Sequence, residues 1–405
     1  MIQRDQFASV SDAGPWVDAL HRHSVSAEQL LHTLRDEIGL SADTPVFLAG
    51  SIVEGFANSA SDIDLYAIVD GGLPEAAEGT HHTLIRTSYA KIDLVLIARS
   101  EMNALLHRFE RFKRSGCVDA ILADSFSVND RHTLDRLKTG LAVQGHEALD
   151  HLRNRLGGDA LARHRFTCAF AMIKRRQAAA EALRREGDWR TLLLVLRDIV
   201  DACADALLAV ADDTNISLKW RIHQLERAYP PDAPSRRAAP ASAARDGPRS
   251  ASRQPAGDPA SLFLSLSIFP SEPDFASTMT YAYRVMAWAR RVVLFATSAF
   301  YGGQGDYAFL ELPAGTRSSN PLHLDTVVGC AGEAFAASRL SESAPAIQLS
   351  ADAASILCAL DPFDHRAFHP AGRAYVYTND QAVERLKHFS TGRGLFATPP
   401  QGPAS

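Results

Sequence analysis

The stretch from Val46 to Val69 limits the possible folds more than any other part of the chain. It reads Val-Phe-Leu-Ala-Gly-Ser-Ile-Val-Glu-Gly-Phe-Ala-Asn-Ser-Ala-Ser-Asp-Ile-Asp-Leu-Tyr-Ala-Ile-Val. Val46 to Ala49 is a short apolar run ending at glycine, which predicts a buried strand. Gly50-Ser51 predicts a tight turn into a short helical segment, closed by the small polar residues Asn58 to Ser61. Asp62 to Val69 predicts a second strand. Ile63 and Leu65 fall on one face, and Asp62 and Asp64 on the other, because strand side chains alternate with period two.

Two carboxylates on one strand face repel each other, so the pair calls for a compensating cation. Hard oxygen donors at this spacing suit Mg²⁺, which keeps waters and takes further ligands from substrate phosphates. Gly50 allows a phosphate close to the backbone. Ser51 and the amides after it are candidate donors to phosphate oxygens. The stretch thus pairs an anion cradle with a metal platform.

These residues resemble the signature of the polymerase-beta-like nucleotidyltransferase superfamily, of the type acting on small molecules or proteins. Gly50, Ser51, Gly55, Ser61, Asp62, Ile63, Asp64 and Leu65 fall where that pattern has them. The family has a third carboxylate on a neighbouring strand. The run Lys91-Ile-Asp-Leu-Val-Leu-Ile97 offers Asp93, after a hairpin-like segment from Thr83 to Ala90. The resemblance implies an α+β fold: a mixed-sheet nucleotidyltransferase core, then a helical lobe and a small C-terminal α/β unit. It also implies a nucleotide held between the first two.

At 405 residues the chain has room for several domains. The expected division is 1–145 for the catalytic core and 146–300 for a helical domain interrupted by a disordered linker at 230–260. A small domain at 301–390 and a disordered tail at 391–405 follow. The linker rests on composition: Pro230 to Pro259 is almost entirely Pro, Ala, Ser, Arg, Gly and Asp, which cannot form a packed core. The five cysteines have no paired spacing, so reduced thiols are expected instead of a disulfide framework or a zinc site. The histidines lack metal spacing too, and His81-His82 and His365 with His369 read as loop or surface residues. Arg4, Asp5 and Asp12 precede any apolar run, and no segment of about twenty apolar residues exists. No signal peptide or membrane span is expected, and a cytoplasmic location is.

In chain order, Asp18 to Leu40 predicts one helix ended by Gly39, and Ser100 is a candidate N-cap for a helix from Glu101 to Phe112. Asp130 to Val143 predicts a connecting helix. His146 to Tyr229 reads as all-helical, with one long helix over Leu161 to Arg185. Asp188 caps a strongly apolar helix over Trp189 to Val210, and a further helix covers Ser217 to Arg227. Asp274 to Phe300 predicts another. Near the end, Tyr307 to Leu312 predicts a strand and Asp325 to Ala337 a helix. Ile347 to Asp361 predicts an extended entry, a cap at Ser350 and a short apolar helix. That last segment resembles winged-helix peptide-binding domains, so peptide or protein contact through the C-terminal unit is an expectation beside the plainer one of a helix closing the fold.

Lys219-Trp220-Arg221 resembles the second-lobe element from which a lysine reaches the triphosphate in several small-molecule nucleotidyltransferases. A lysine is a compact phosphate partner. An amphipathic helix with a solvated charged face, Arg221 included, is the other reading, and both stay open here.

The expected reaction moves a nucleoside monophosphate from an NTP, with ATP the expected co-substrate, to a hydroxyl, releasing pyrophosphate. By the resemblance, Asp62, Asp64 and Asp93 are the catalytic residues and hold two Mg²⁺ ions. Gly50, Ser51 and Lys219 bind the nucleotide. A net charge of −5 counts against long nucleic acid as the acceptor and favours a small molecule or a protein. Two alternatives remain: a synthase of oligonucleotide second messengers, and an inactive fold acting as a binding or regulatory partner.

Overall fold

Two helices precede the sheet where the sequence suggests one. The computed structural model describes residues 15–21, 25–58, 61–70, 80–88, 90–230, 258–271, 273–301, 326–331, 334–339 and 347–349. Helix α1 spans Pro15–His21, and α2 spans Ala27–His32, continued by a π-helical turn over Thr33–Glu37. The break has a local cause. The Gln29 amide donates to Ser26 Oγ and the Ser26 amide donates to Gln29 Oε1, a reciprocal cap that starts a new helix. The single helix expected over Asp18 to Leu40 is corrected there.

The first unit, Met1–His164, is built on a five-stranded mixed sheet. Strand β1 (Val46–Ala49) leads into the short helix α3 (Gly50–Glu54), followed by β2 (Ile63–Val69), β3 (Thr80–Arg86) and β4 (Lys91–Ala98). Then come α4 (Arg99–Arg114), α5 (Ala120–Asp124), α6 (Val128–Thr139), β5 (Leu141–Gln144) and α7 (His146–Leu156). The strand order is β3-β4-β2-β1-β5. Strands β2 and β4 run parallel, and the other neighbours antiparallel. Alternation along β2 buries Ile63, Leu65 and Ala67, which pack with Val46, Leu48, Ile92 and Leu94 against Leu20, Leu30 and Leu34. That layer of N-terminal helix fixes which face of the sheet is left for Asp64 and Asp93.

Two boundaries differ from the sequence reading. Helix α4 begins at Arg99 after Ala98, so Ser100 lies inside its first turn and does not cap it. The helix expected over Asp130 to Val143 starts earlier, at Val128, because Ser127 and Asp130 form a capping box, and it stops at Thr139. Leu141–Gln144 is instead the strand that pairs with β1. His81 and His82, read as loop or surface residues, lie in β3, where His82 is exposed.

The second unit, Arg165–Ser405, holds most of the long helices. Helix α8 runs over Ala160–Glu186 and so carries the boundary between the units. Next are α9 (Trp189–Val210), a 3₁₀ turn over Leu218–Trp220, α10 (Arg221–Ala228), α11 (Pro259–Leu266) and α12 (Phe275–Tyr301). Asp188 caps α9 by accepting from the Thr191 amide, as expected. Leu196, Ile199, Val200 and Leu207 of α9 share a core with Val285, Met286, Ala289 and Val292 of α12. Asp258 caps α11 and Pro259 is its first residue, so helix begins before the expected linker end at 260.

Among the described residues three strands follow: β6 (Thr326–Ala331), β7 (Ala334–Arg339) and β8 (Ile347–Leu349), in an antiparallel sheet of that order. The helix expected over Asp325 to Ala337 is therefore corrected to a pair of strands. Thr326, Val327 and Val328 are β-branched, and such side chains fit a pleated strand better than a helix. The architecture is α+β. Several expectations lie outside the described residues: the linker core at 231–257, the strand at Tyr307 to Leu312, the cap at Ser350 with its helix, and the tail at 391–405. Among the described residues, no helix is long and apolar enough to cross a membrane.

Candidate functional site

Gly50, the first residue of α3, is buried with φ +74°, a region that favours glycine. A Cβ placed there would lie 2.7 Å from Asp64 Cγ and closer still to Oδ2. The Asp64 carboxylate thus occupies the space beside the turn that a side chain at position 50 would fill. The packing follows from the ladder: Ala49 pairs with Asp64 across β1 and β2, so the turn after Ala49 folds over the acid.

Asp93 stands in register with Asp64 across the parallel pair β2 and β4. Neighbouring strands lie about 4.8 Å apart, so the two acids are side by side on one face. Both are part-exposed, whereas Ile63, Leu65, Ile92 and Leu94 around them are buried on the other face. Asp62 precedes β2 and is also part-exposed. Ser51 follows Gly50 in α3, and its carbonyl accepts from the Phe56 and Ala57 amides, tying down the loop after the helix. The first unit therefore gathers Gly50, Ser51, Asp64 and Asp93 around one end of β1 and β2. Lys219 belongs to the second unit.

The face carries further groups that the sequence reading did not assign to the site. His82 Nδ1 is 4.0 Å from Asp93 Oδ1. Tyr66, two residues beyond Asp64, stacks on Phe47 with ring centroids 5.2 Å apart. Burial holds the Tyr66 phenol above its ordinary pKa, against the opposing pull of Arg136. Arg136 of α6 pairs with Glu54 at the end of α3. Burial by itself would lower the Arg136 pKa, but the charges of Asp135, Glu54, Tyr66 and Asp64 outweigh it and raise it. Period-two alternation puts Tyr66 on the face of Asp64. Arg136 carries no such local signal, because its partners are brought to it by folding.

Two adjacent carboxylates on an open face form a hard-oxygen platform. Among the described residues, no group of three or more His, Cys, Asp or Glu side chains converges as a cage for a metal ion. Magnesium does not demand one. It is held by one or two carboxylates with water and substrate phosphate filling the rest of its shell. Asp64 and Asp93 fit that donor set.

In the second unit, Lys219 sits in the 3₁₀ turn with Nζ 5.1 Å from the Trp220 ring centroid. Its neighbour Arg221, expected on a solvated face, is instead buried. Arg221 Nη2 lies 3.0 Å from Asp205 Oδ1, and its Nη1 donates to the Asp201 carbonyl at 2.7 Å. Arg165 reaches the same Asp205 at 2.6 Å. The acids of α9 explain the correction, since they draw the guanidinium inward.

No family model matches the sequence, and no curated protein matches it. Among solved structures, the chain is similar to a nucleotidyltransferase-like protein from Exiguobacterium sibiricum. The identity is 11%, the TM-score is 0.35, and the match covers 68% of this chain and 78% of that one.

Proposed function

We propose that the chain is a Mg²⁺-dependent nucleotidyltransferase that moves a nucleoside monophosphate from an NTP to an acceptor hydroxyl. The observation that carries the reading is the in-register pair Asp64 and Asp93 beside a left-handed Gly50. In the reaction the acceptor oxygen forms a bond to the α-phosphorus, the bond to the bridging oxygen breaks, and pyrophosphate leaves. Asp64 and Asp93, with Asp62, would hold Mg²⁺, which when bound supplies neutralising charge to the triphosphate.

Asp93 has 40% of its side chain exposed and His82 at 4.0 Å. It is the residue assigned to take the acceptor proton. Gly50 brings the backbone close against Asp64, and Gly50 and Ser51 are assigned to the phosphates. Lys219 is assigned to the β- or γ-phosphate. Most of the rate gain then comes from positioning and from charge neutralisation. ATP is the favoured donor and a small molecule or a protein the favoured acceptor. Peptide or protein contact through the C-terminal unit, and a cytoplasmic location, belong to the same proposal.

The test is a panel of α-labelled NTPs incubated with the protein and Mg²⁺, first alone and then with hydroxyl acceptors. Transfer of label with release of pyrophosphate supports the reading. Product formed from NTP alone moves the assignment to an oligonucleotide synthase or to self-modification. Absence of any NTP-dependent product across the panel leaves the inactive binding partner as the better account.

A further inference from the structure

Arg136 joins two parts of the site that sequence separates by many residues. Its Nη1 meets Glu54 Oε1 and lies 3.4 Å from Asp135 Oδ2. The three side chains are 13%, 7% and 0% exposed, so the charges are compensated away from bulk water. The guanidinium also hydrogen-bonds to Tyr66, which shares the face of β2 with Asp64 and stacks on Phe47 of β1. The base of Arg136 is fixed as well. Arg153 Nε donates to the Leu137 carbonyl at 2.9 Å and Arg153 Nη2 to the Gly140 carbonyl at 2.5 Å, pinning the end of α6. A Cβ at Gly140 would come within 2.6 Å of Phe47 Cδ2 and of the Arg136 carbonyl, so α6 lies hard against β1 there.

We propose that Arg136 is a positioning residue, which fixes the Gly50–Ser51 turn against Asp64 by bridging Glu54 of α3 to Tyr66 of β2. It rests on the function proposed above. Helix α3 has five residues, with Gly50 at one end and Glu54 at the other. A helix that short moves as one piece, so holding Glu54 sets the approach of Gly50 to the acid. The planar, always-charged guanidinium suits this task, since it offers several donors in a fixed fork. A lysine at the position keeps the charge but not the fork.

The experiment measures kcat, the KM for NTP, and the Kd of a non-hydrolysable NTP with Mg²⁺, alongside thermal melting. The proteins are the full-length wild type, Arg136→Met, Arg136→Lys, Glu54→Gln, Tyr66→Phe and the double variant Glu54→Gln/Arg136→Met. The expected result is a rise in KM and Kd of about tenfold or more in Arg136→Met and in Glu54→Gln. The double variant is no worse than either single change, because both remove the same link. Arg136→Lys recovers part of the loss. A folded Arg136→Met with wild-type KM and Kd overturns the proposal, as does a lowered melting temperature with unchanged KM and Kd. Losses that multiply in the double variant overturn it too. If Arg136→Met does not fold because Glu54 and Asp135 both lose its guanidinium, Glu54→Gln, which leaves Arg136 beside Asp135, decides the matter by the same readings. Wild type that binds NTP beside an unaffected Arg136→Met defeats the positioning role alone. Wild type that binds no NTP defeats the function beneath it.

Discussion

The Asp64 carboxylate fills the space that any side chain at position 50 would need. Gly50 is therefore fixed by two demands at once, a φ of +74° and the acid beside it. Gly50→Ala meets both. The left-handed backbone costs a residue with a Cβ about 1–2 kcal/mol, and the carboxylate must also move. A displacement of about 1 Å at a reacting group is enough to cost on the order of 10²-fold in rate. The expected outcome is a modest loss in melting temperature with a much larger loss of turnover, read by melting and by pyrophosphate release. A variant with full turnover contradicts the packing described for the pair.

His164 sets a pH dependence of stability. Its ring packs against Phe109, Phe112 and Phe126, and Nε2 lies 3.2 Å from the Ala123 carbonyl. Burial holds its pKa down to about 4 from the ordinary 6.5. The unfolded chain therefore binds a proton more readily than the folded one between those values. Stability from this residue is complete above about pH 6.5 and is lost as the pH falls towards 4, by about 3 kcal/mol in all. Melting curves of wild type and His164→Phe from pH 7 to pH 4 should converge or cross, with the variant losing less. Parallel curves contradict the assignment.

The helices and strands nearest the acids were the most legible part of the chain. A four-residue apolar run before Gly-Ser, and alternation through Ile63, Asp64 and Leu65, place β1 and β2 within one residue of their observed ends. Asp93 was reached through the family resemblance, and its register with Asp64 comes from the pairing of β2 with β4. Strand β5 was not legible. It has four residues directly after a helix, and only its pairing with β1 makes it a strand. The Arg136 links and the inward turn of Arg221 escaped for a related reason. An arginine on an amphipathic helix is ordinarily solvated, and only the carboxylates of other elements draw it inside. The β6–β7 pair was misread because Ala331, Ala334, Ala336 and Ala337 were given more weight than the β-branched run at Thr326 to Val328.

Lys219 and Arg221 lie two residues apart yet should behave differently. A lysine meeting the β- or γ-phosphate contributes a charge-assisted contact of about 1.5–3 kcal/mol. Lys219→Ala should then weaken NTP binding roughly tenfold to a hundredfold, with little effect on a nucleoside monophosphate. Arg190→Ala is the matched control, since Arg190 is an exposed cation 5.1 Å from the Trp189 ring. Arg221→Ala is expected instead to destabilise the protein, because it removes a buried guanidinium held by Asp205 and the Asp201 carbonyl. Equal, small losses in Lys219→Ala and Arg190→Ala, by titration calorimetry, remove Lys219 from the site.

The central claim is that Asp64 and Asp93 bind an NTP through a divalent cation. Titration calorimetry of a non-hydrolysable NTP into wild type and Asp64→Asn, with and without Mg²⁺, tests it without knowledge of the acceptor. Removing one carboxylate relieves repulsion with its in-register neighbour, so Asp64→Asn should melt at or above the wild-type temperature. The account predicts binding to wild type only when Mg²⁺ is present, and at least about tenfold weaker binding to the folded variant. Binding of equal strength in all four arms, or none in wild type with saturating Mg²⁺, contradicts it.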